Sequence, residues 1–497
     1  MSSSNSPKKQ KVDLTNLKGL NITIMGLGLH GGGVESARFC ASQGANLIVT
    51  DLRTKEILKP SIDKLVDFDI TYVLGEHREE DFRNADLVIK NPGVKPSNPY
   101  LQIAPQVATD IALFLAHYSG PILGITGTKG KSSTASALAF GLEQQFPGTK
   151  LGGNITVSPL SFLNELQYSP ETPVVLELSS FQLGDLRYSS ASLPLVFSGI
   201  TNIESDHQDY YGSMETYVQD KEAIFLNQQP GSWVCLNGNQ PNWTKRFLSH
   251  LPNHVTPWCV FSSKPNTHDL LALGISDPEN MGLAWIDDSL GYMKRPGKPL
   301  TSIVPIIPAQ IKVPGDHQKM NLMVAGIGMT KMGIKPEDIL HFLGQFPGIP
   351  HRIEYLGTID QVEYYNDSAA TIPEAVVMGV QSFKEKPVHL ICGGTNKSLD
   401  FSPLSTIKSK IASVHLLDGT ATAGIKQALL PGQIGAGLFG PFPSLEQVVQ
   451  SAKKIAKPGD VILFSPGCAS FGLFLNEFDR GNTFRNLFGS LQKEGQL

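Results

Sequence analysis

The chain has 497 residues, of which 41% are hydrophobic and 17% charged, with a formal net charge of −4. This length predicts two to four domains, each able to bury its own core. The weak net charge excludes a polybasic surface, so we expect neither nucleic acid nor an anionic membrane as the main partner. Residues 1–19 form a polar tail without the apolar core of a signal peptide, and no apolar run reaches membrane-spanning length. The five cysteines form no C-x-x-C pair, which is typical of a reduced, cytoplasmic protein.

Residues 20–118 alternate predicted strands and helices. The strand Leu20–Met25 runs into the glycine-rich segment Gly26–Gly31, and the next strand ends in Asp51. A G-x-G-x-x-G segment with an acidic residue about twenty positions later is the dinucleotide fingerprint, and taken alone it predicts a nicotinamide enzyme. A later strand of this unit runs into a second tight turn at Asn91-Pro92-Gly93.

The strongest motif, Gly127-Thr128-Lys129-Gly130-Lys131-Ser132-Ser133, opens the second unit, residues 119–347. It lies between a short apolar strand and a helix, which is the context of a phosphate-binding loop. In such a loop Lys131 reaches the outer phosphates and the Ser132 hydroxyl binds Mg²⁺. The strict G-x-x-x-x-G-K-[ST] pattern fails at one place, because Ile125 occupies its first glycine position. We interpret the stretch as an ATP site.

Three further residues of the second unit have the chemistry of a metal site, although each also has a structural interpretation. Glu177 ends the apolar strand Pro173–Leu178, where it is a second Mg²⁺ anchor or only caps a turn. His207 lies in an acidic cluster and binds a metal or is structural. Lys221 follows on a helix and, taken alone, predicts an exposed surface lysine. The Pro- and Asn-rich stretch 237–267 predicts loops.

The third unit, residues 348–497, again alternates strands and helices. The predicted strands Val388–Cys392, Ser413–Leu417 and Val461–Phe464 each run into a turn of small residues. Doubly wound sheets bind their ligands at such strand ends, so we expect a second ligand-binding edge in this unit.

Taken together, these motifs resemble the Mur ligase family, and most closely its members that add glutamate to UDP-N-acetylmuramoyl-L-alanine. The matching segments occur in order along nearly the whole chain, and the ordered set is far more specific than any one of them. They are the G-T-x-G-K-S loop, Glu177–Leu183, Asn202–Phe225, Gly315–Asn321, Pro350–Glu354, Asn366–Ser368, Gly393–Lys397, Ser465–Ser470 and Arg480-Gly481.

The resemblance implies an α/β fold of three domains, which we place at 20–118, 119–347 and 348–497. They would be a Rossmann-like domain for a UDP-sugar, a central P-loop-type ATPase domain with a mainly parallel sheet, and a Rossmann-like domain for the amino acid. The resemblance implies that the glycines after the first strand bind UDP and not NAD. The implied UDP-sugar residues are Gly28, Leu29, His30, Asp51, Leu52, Arg53, Asn91, Pro92, Gly93 and Asn154.

The same resemblance implies the ATP, metal and glutamate ligands. The glycine-rich loop 127–133 would hold ATP, with Asn321 at adenine, Arg352 at the phosphates and Asp367 at ribose. Two Mg²⁺ ions are implied, one on Ser132 and Glu177, the other on His207 and on Lys221 as its N-carbamate. The residues implied to carry catalysis are Lys131, Glu177, His207, Lys221 and Arg352. The residues implied to bind glutamate are Thr371, Lys397, Ser470 and Phe471.

The implied reaction has two steps, phosphorylation of the substrate carboxylate by ATP and attack of the glutamate amine on the acyl phosphate. The implied substrates are small molecules, and we expect a monomer without membrane insertion that acts in peptidoglycan precursor synthesis. Ala369 replaces a lysine that is common in the family, Gln318 replaces an asparagine, and Glu477 occupies an often aromatic position. The amino-acid pocket is therefore less well defined than the nucleotide site.

Several alternatives follow from the sequence as well. The chain could add L-glutamate instead of D-glutamate, or it could be another amide ligase of the superfamily, such as a folylpolyglutamate synthase. A nicotinamide-dependent oxidoreductase is a more distant alternative, because it leaves the loop at 127–133 unexplained. A catalytically silent homologue is disfavoured by the presence of Lys131, Glu177, His207 and Lys221.

Overall fold

The computed structural model describes residues 11–29, 31–155, 157–189, 193–383, 386–397, 399–429, 434–435, 437–470 and 473–494. Two predicted site residues, His30 and Phe471, lie outside the described residues. The chain divides into two compact units, Met1–Ala309 with Met320–Leu343 and Gln310–Lys319 with Gly344–Leu497. The first unit contains two sheets and the second contains one. The three predicted domain boundaries stay predictions.

The first sheet has five parallel strands in the order β3-β2-β1-β4-β5, as in a Rossmann-like fold. Its elements are β1 (Asn21–Met25), α1 (Gly32–Ser42), β2 (Asn46–Asp51), α2 (Lys55–Ile62), a 3₁₀ helix (Asp63–Leu65), β3 (Ile70–Leu74), α3 (Glu79–Arg83), β4 (Leu87–Lys90), α4 (Pro99–Gln102), β5 (Val107–Ala108) and α5 (Asp110–His117).

The second sheet is built from the central part of the chain. Its elements are β6 (Ile122–Thr126), α6 (Lys131–Gln145), β7 (Lys150–Gly153), a 3₁₀ helix (Pro159–Phe162), α7 (Leu163–Leu166), β8 (Val174–Glu177), α8 (Ser180–Ser189), β9 (Leu195–Ile200), α9 (Gln208–Tyr211), α10 (Met214–Leu226), β10 (Trp233–Asn237), α11 (Pro241–His250), β11 (Thr256–Phe261), α12 (Thr267–Ala272), a 3₁₀ helix (Pro278–Asn280), β12 (Gly282–Asp287), β13 (Leu290–Lys294) and β14 (Ile303–Ile307). The helices α13 (Asp316–Lys331) and α14 (Pro336–Gln345) follow.

The nine strands of the second sheet have the order β14-β13-β12-β11-β10-β9-β6-β8-β7, and only the β12-β13-β14 edge is antiparallel. Every residue of β6 and β8 is buried, because helices cover both faces of a parallel sheet. One hydrophobic core runs from Leu17 in the first sheet region to Trp285 in the second, so the two sheets of this unit share their apolar packing.

The prediction of loops at 237–267 was wrong, since this stretch contains α11 and β11. Pro241 occupies the first turn of α11, where its missing N–H is not needed for an intrahelical hydrogen bond. Residues that usually indicate turns therefore mark a helix start in this stretch.

The third sheet has the order β15-β16-β20-β17-β18-β19 and is parallel except for the β15–β16 pair. Its elements are β15 (Glu354–Ile359), β16 (Val362–Asn366), α15 (Pro373–Gln381), β17 (Val388–Gly393), a 3₁₀ helix (Ser402–Lys410), β18 (Ile411–Leu417), α16 (Thr422–Leu429), β19 (Leu438–Phe442), α17 (Leu445–Ile455), β20 (Val461–Phe464) and α18 (Glu477–Glu494).

The five cysteines are all free and buried. In the part of the chain that the structure describes, no helix combines the length and the apolar character needed to span a bilayer.

Candidate functional site

The predicted phosphate-binding loop connects β6 to the N-terminus of α6. Gly127 has φ 140°, and a Cβ atom there would lie 2.0 Å from the Thr201 hydroxyl oxygen, so only glycine fits. Gly130 adopts a left-handed conformation directly before Lys131, the first residue of α6. The Lys131 Nζ donates hydrogen bonds to the carbonyl oxygens of Gly127 (3.1 Å) and Thr128 (2.9 Å). This loop and the positive end of the helix dipole form an anion-binding site.

The segment after β9 braces this loop. The Asn202 side chain accepts a hydrogen bond from the Lys129 N–H (2.9 Å) and donates one to the Lys129 carbonyl (3.1 Å). The Thr201 hydroxyl also donates to the Lys129 carbonyl, at 2.5 Å. Sequence reasoning assigned no role to Thr201 or Asn202. The signals available were their place after the strand beside β6 and, for Asn202, its position at the start of the matching segment Asn202–Phe225.

Glu177 lies at the carboxyl end of β8, paired in register with Ile125 of β6, and its side chain is buried. Its Oε1 accepts a hydrogen bond of 2.9 Å from the Asn154 side chain. Its Oε2 is buried and has no hydrogen-bond partner among the described residues. A buried unpaired carboxylate oxygen is costly, and a hard cation would satisfy it. Asn154, predicted for the UDP-sugar, thus contacts a predicted metal ligand.

A metal ion bound at Glu177 would have few protein ligands. Among the described residues, no three His, Cys, Asp or Glu side chains converge. The donor set is instead the Glu177 carboxylate and the half-buried Ser132 at the start of α6. Mg²⁺ usually keeps one or two protein ligands and completes its shell with phosphates and water, so these residues fit Mg²⁺.

Lys221 is fully buried, so the prediction of a surface lysine, made from its helix position alone, was wrong. Its Nζ donates a 2.9 Å hydrogen bond to the Gly127 carbonyl and lies 4.6 Å from the centre of the Tyr217 ring. Burial, together with the positive charge of Lys131, lowers the pKa of Lys221 to about 7. The amine is therefore partly neutral near pH 7.

Tyr217 connects Lys221 to the loop from a second direction. The Tyr217 hydroxyl lies 2.9 Å from the Thr128 hydroxyl, and its ring is buried on α10 one turn before Lys221. Sequence reasoning did not single out this tyrosine, because the contact joins residues 89 positions apart.

His207 adopts a left-handed backbone conformation (φ 52°) at the start of α9 and is exposed. Its Nε2 lies 3.6 Å from the Asp206 carboxylate, and its ring contacts Phe181 at 4.9 Å. Within the described chain, the structure records no contact of His207 with Glu177 or Lys221. The predicted pairing of His207 with Lys221 on one ion stays a prediction.

Asn321, the predicted adenine contact on α13, lies beside the phosphate-binding loop. A Cβ atom at Gly130 would be only 2.5 Å from the Asn321 side-chain oxygen. The structure therefore brings Asn321, Lys131 and Glu177 to one edge of the second sheet.

Five of the predicted UDP-sugar residues, Gly28, Asp51, Leu52, Arg53 and Asn91, line one cavity of about 370 Å³. Its lining residues are Met25, Gly26, Gly28, Asp51, Leu52, Arg53, His77, Asn91 and Val94. Pro92 and Gly93 follow Asn91 in the same turn, and the Asn91 side chain accepts a hydrogen bond from the Gly93 N–H (3.1 Å). Leu29, at the glycine-rich turn, is exposed. His77 was not predicted, because it lies in a loop after β3 without a motif.

Asp51 stabilises the glycine-rich turn. Its two carboxylate oxygens accept hydrogen bonds from the backbone N–H groups of Gly28 (3.1 Å) and Arg53 (2.9 Å). The carboxylate thus shapes the two loops that face the cavity.

In the compact unit Gln310–Lys319 with Gly344–Leu497, Asp367 is buried and bonded to residues beside the strands of the third sheet. Its carboxylate accepts hydrogen bonds from the Ser465 hydroxyl (2.6 Å) and the Ile353 N–H (3.1 Å). Burial raises the pKa of Asp367 to about 7. Arg352, the residue before Ile353, is exposed.

The predicted glutamate residues lie on neighbouring loops of this unit. A backbone bridge between Thr395 and Ala469 joins the loop with Lys397 to the loop with Ser470. Lys397 is exposed and Ser470 is buried, whereas Thr371 is half-buried.

Arg480 joins two loops of this unit through buried hydrogen bonds. Its fully buried guanidinium donates to the carbonyl oxygens of Ser368 (2.8 Å) and Cys468 (3.0 Å). It thereby connects the loop after β16 with the loop after β20. Sequence reasoning gave Arg480 only as part of a motif, without this bracing role.

Family models match all three parts of the chain. The Mur ligase MurD-like N-terminal domain matches residues 20–112, the Mur ligase middle domain matches residues 125–328, and the Mur ligase glutamate ligase domain matches residues 351–468.

Two relatives illustrate the similarity. A UDP-N-acetylmuramoylalanine–D-glutamate ligase of Borreliella burgdorferi is 41% identical over 96% of this chain and 99% of its own. A protein with the same name from Roseiflexus sp. is 40% identical over 95% of this chain and 99% of its own. Among solved structures, UDP-N-acetylmuramate–alanine ligase from Thermotoga maritima is similar in fold, with a TM-score of 0.51 and 18% identity over 95% of this chain and 99% of that one.

Proposed function

Since the chain belongs to the Mur ligase family, we propose that it joins D-glutamate to the alanyl carboxylate of UDP-N-acetylmuramoyl-L-alanine and cleaves ATP to ADP and phosphate in the process. The observation that carries this proposal is the 41% identity, over nearly the full length of both chains, to a ligase of that name. The phosphate-binding loop, braced by Thr201 and Asn202, supports the ATP part independently of the relatives.

The proposed reaction begins with attack of the substrate carboxylate on the γ-phosphorus of ATP. The new O–P bond forms as the bond to the ADP oxygen breaks, which gives an acyl phosphate. The glutamate amine then attacks the acyl carbon, and phosphate leaves with one former carboxylate oxygen. Lys131, which now bonds to its own loop, would turn to the γ-phosphate, and Arg352 would neutralise charge on the same group.

Mur ligases as a family use ATP and Mg²⁺. Ser132 and the unpaired oxygen of Glu177 would hold one Mg²⁺ in this chain. When bound, the ion offsets negative charge on the phosphate oxygens. A second ion would bind on the side of His207 and Lys221.

We propose that Lys221 works as an N-carbamate. An ammonium group donates only and cannot bind a cation, whereas carbamate oxygens can. Carbamate formation requires a neutral amine, and burial lowers the pKa of Lys221 enough to supply one near neutral pH. Its contact with the Gly127 carbonyl would keep the group at the phosphate-binding loop.

The substrate sites follow from the same assignment. The cavity of the first sheet would bind UDP through the Gly28, Asp51 and Asn91 turns. Asn321 would contact adenine and Asp367 the ribose, while Lys397, Ser470 and Thr371 would hold the glutamate carboxylates. Ala369 leaves this amino-acid pocket without the lysine that is common in the family.

D-glutamate is favoured over L-glutamate because the relatives above are named for the D-isomer. No separate observation favours a folylpolyglutamate synthase or a nicotinamide oxidoreductase. That the protein acts as a monomer stays a prediction. ATP and nucleotide sugars are cytoplasmic metabolites, which supports action in the cytoplasm.

The test is product formation by mass spectrometry. The protein is incubated with UDP-N-acetylmuramoyl-L-alanine, Mg·ATP and either D- or L-glutamate, with the Lys131→Ala variant as the blank. We expect one new amide with D-glutamate and a stoichiometric amount of ADP. Absence of this product from the folded wild-type protein, or its formation without ATP consumption, would contradict the proposal.

A further inference from the structure

The turn of the UDP-sugar cavity is tied to the second sheet by a buried ion pair. Lys90, the last residue of β4, directly precedes Asn91 of the cavity. Its Nζ lies 2.5 Å from the Asp185 carboxylate on α8. The two side chains are only 3% and 7% exposed, so water does not weaken their attraction.

From Asp185 the contacts continue to the phosphate-binding loop. A Cβ atom at Gly184 would lie 2.3 Å from the Asp220 carboxylate, so α8 and α10 approach as closely as glycine allows. Arg187, also on α8, pairs with the same carboxylate at 2.8 Å. Asp220 is followed by Lys221, whose amine bonds to the loop at Gly127. A continuous series of contacts and sequence neighbours thus connects Asn91 to Gly127.

A second contact holds the same turn. The Lys95 ammonium lies 4.8 Å from the centre of the Tyr210 ring on α9. The turn between Lys90 and Lys95 is therefore attached at both ends to helices that follow β8 and β9.

Apolar residues of β4 and α8 belong to one hydrophobic core, but a cavity of about 370 Å³ interrupts the packing beside the ion pair. Lys90 and Asp185 line it together with apolar side chains such as Leu14, Leu101 and Ala112. A buried ion pair is a weak source of net stability compared with an apolar pair, but its direction and length are specific.

We propose that the Lys90–Asp185 pair positions the substrate for phosphoryl transfer by fixing the distance between the UDP-sugar turn and the loop that binds ATP. The inference rests on the proposed function. Both groups are positioning residues, since neither is assigned a contact with substrate. In-line attack requires the carboxylate and the γ-phosphate within a few tenths of an ångström of their reactive arrangement, and a shift of about 1 Å can cost about 100-fold in rate.

The test replaces the pair with apolar side chains of similar size, Lys90→Met with Asp185→Leu. This double variant removes the directional contact without leaving one buried charge unpaired. We expect a thermal unfolding midpoint close to that of wild type, a KM for ATP within about twofold, and a kcat for ligation lowered about 10- to 100-fold. The matched control is Arg83→Gln with Glu79→Gln, which removes an exposed ion pair on α3 and should leave all three values unchanged.

If the pair has only a structural role, the double variant will fold and will keep the wild-type kcat. That result would overturn the inference. If the double variant does not fold, Lys90→Met alone decides, since it removes the ammonium group that donates to Asp185: a wild-type kcat in that folded variant also overturns the inference. Wild-type protein that makes no product refutes the proposed function instead, so the two failures are distinguishable.

Discussion

The side-chain amine of Lys221 donates a hydrogen bond of 2.9 Å to the carbonyl oxygen of Gly127, 94 residues earlier in the chain. This contact joins α10 to the phosphate-binding loop and holds the amine in a buried place. It puts a group capable of carrying CO₂ beside the loop that is predicted to bind ATP.

Replacement of Lys221 by alanine should lower ligation about 100-fold or more, because the proposed carbamate oxygens are lost. Formate or acetate should restore part of the activity by supplying carboxylate oxygens in the space of the deleted side chain. The measurement is the initial rate against carboxylate concentration, with sodium chloride at equal ionic strength as the control. Full activity without added carboxylate would contradict the carbamate assignment.

The Lys131→Ala variant should lose phosphate release about 1,000-fold, because this side chain is the one proposed to bring its positive charge to the γ-phosphate. Lys129, the other lysine of the loop, pairs with Glu204 instead. Binding of the UDP-sugar substrate, measured by calorimetry, should change little, since its cavity lies on the first sheet. Lys245→Ala on the exposed face of α11 serves as the control. An active Lys131→Ala variant would refute the assignment of the loop.

Lys397→Ala should raise the KM for glutamate about 10- to 100-fold, which corresponds to the loss of one charge-assisted hydrogen bond. The KM for ATP should stay within about twofold. Lys386→Ala is the matched control, because Lys386 is a partly exposed lysine of the same unit that pairs with Glu363. Equal increases in both KM values would place Lys397 outside the glutamate pocket.

The compact unit that contains the third sheet should lose stability as the pH falls from about 6.5 towards 4. His415 is fully buried between the Ser413 and Ser451 hydroxyls, and burial lowers its pKa to about 4. The folded state therefore binds this proton less readily than the unfolded state, so stability present above pH 6.5 is lost as the pH falls, by about 3 kcal/mol in full.

Calorimetric unfolding of wild type and His415→Leu between pH 7.5 and 4.5 measures this effect. The variant should be less stable at pH 7.5, since it loses two hydrogen bonds, and its stability should fall less steeply with pH. If the stabilities of the two proteins fall in parallel with pH, His415 is excluded as the source of the pH dependence.

Much of the fold could be predicted from the sequence, because parallel strands covered on both faces give continuous apolar runs. The predicted strand Val461–Phe464 coincides with β20, and the strands around the phosphate-binding loop agree within one or two residues. The 237–267 stretch was missed because two of its prolines lie inside regular elements, Pro241 in the first turn of α11, which tolerates proline, and Pro257 within β11.

The site was predicted less completely, and the reason is the distance along the chain between its parts. The loop glycines and Lys131 form a local motif, so sequence alone could find them. The burial of Lys221 and the brace from Asn202 depend on which strand ends meet in space. The Lys90–Asp185 pair likewise joins two sheets and has no local pattern.

The central claim is that this chain activates a carboxylate by phosphorylation, and an oxygen-18 transfer measurement tests it most directly. UDP-N-acetylmuramoyl-L-alanine labelled with oxygen-18 in its alanyl carboxylate is converted with unlabelled ATP and D-glutamate, and the released phosphate is analysed by mass spectrometry. The account predicts one labelled oxygen in each phosphate molecule. Unlabelled phosphate accompanying the amide product would contradict it.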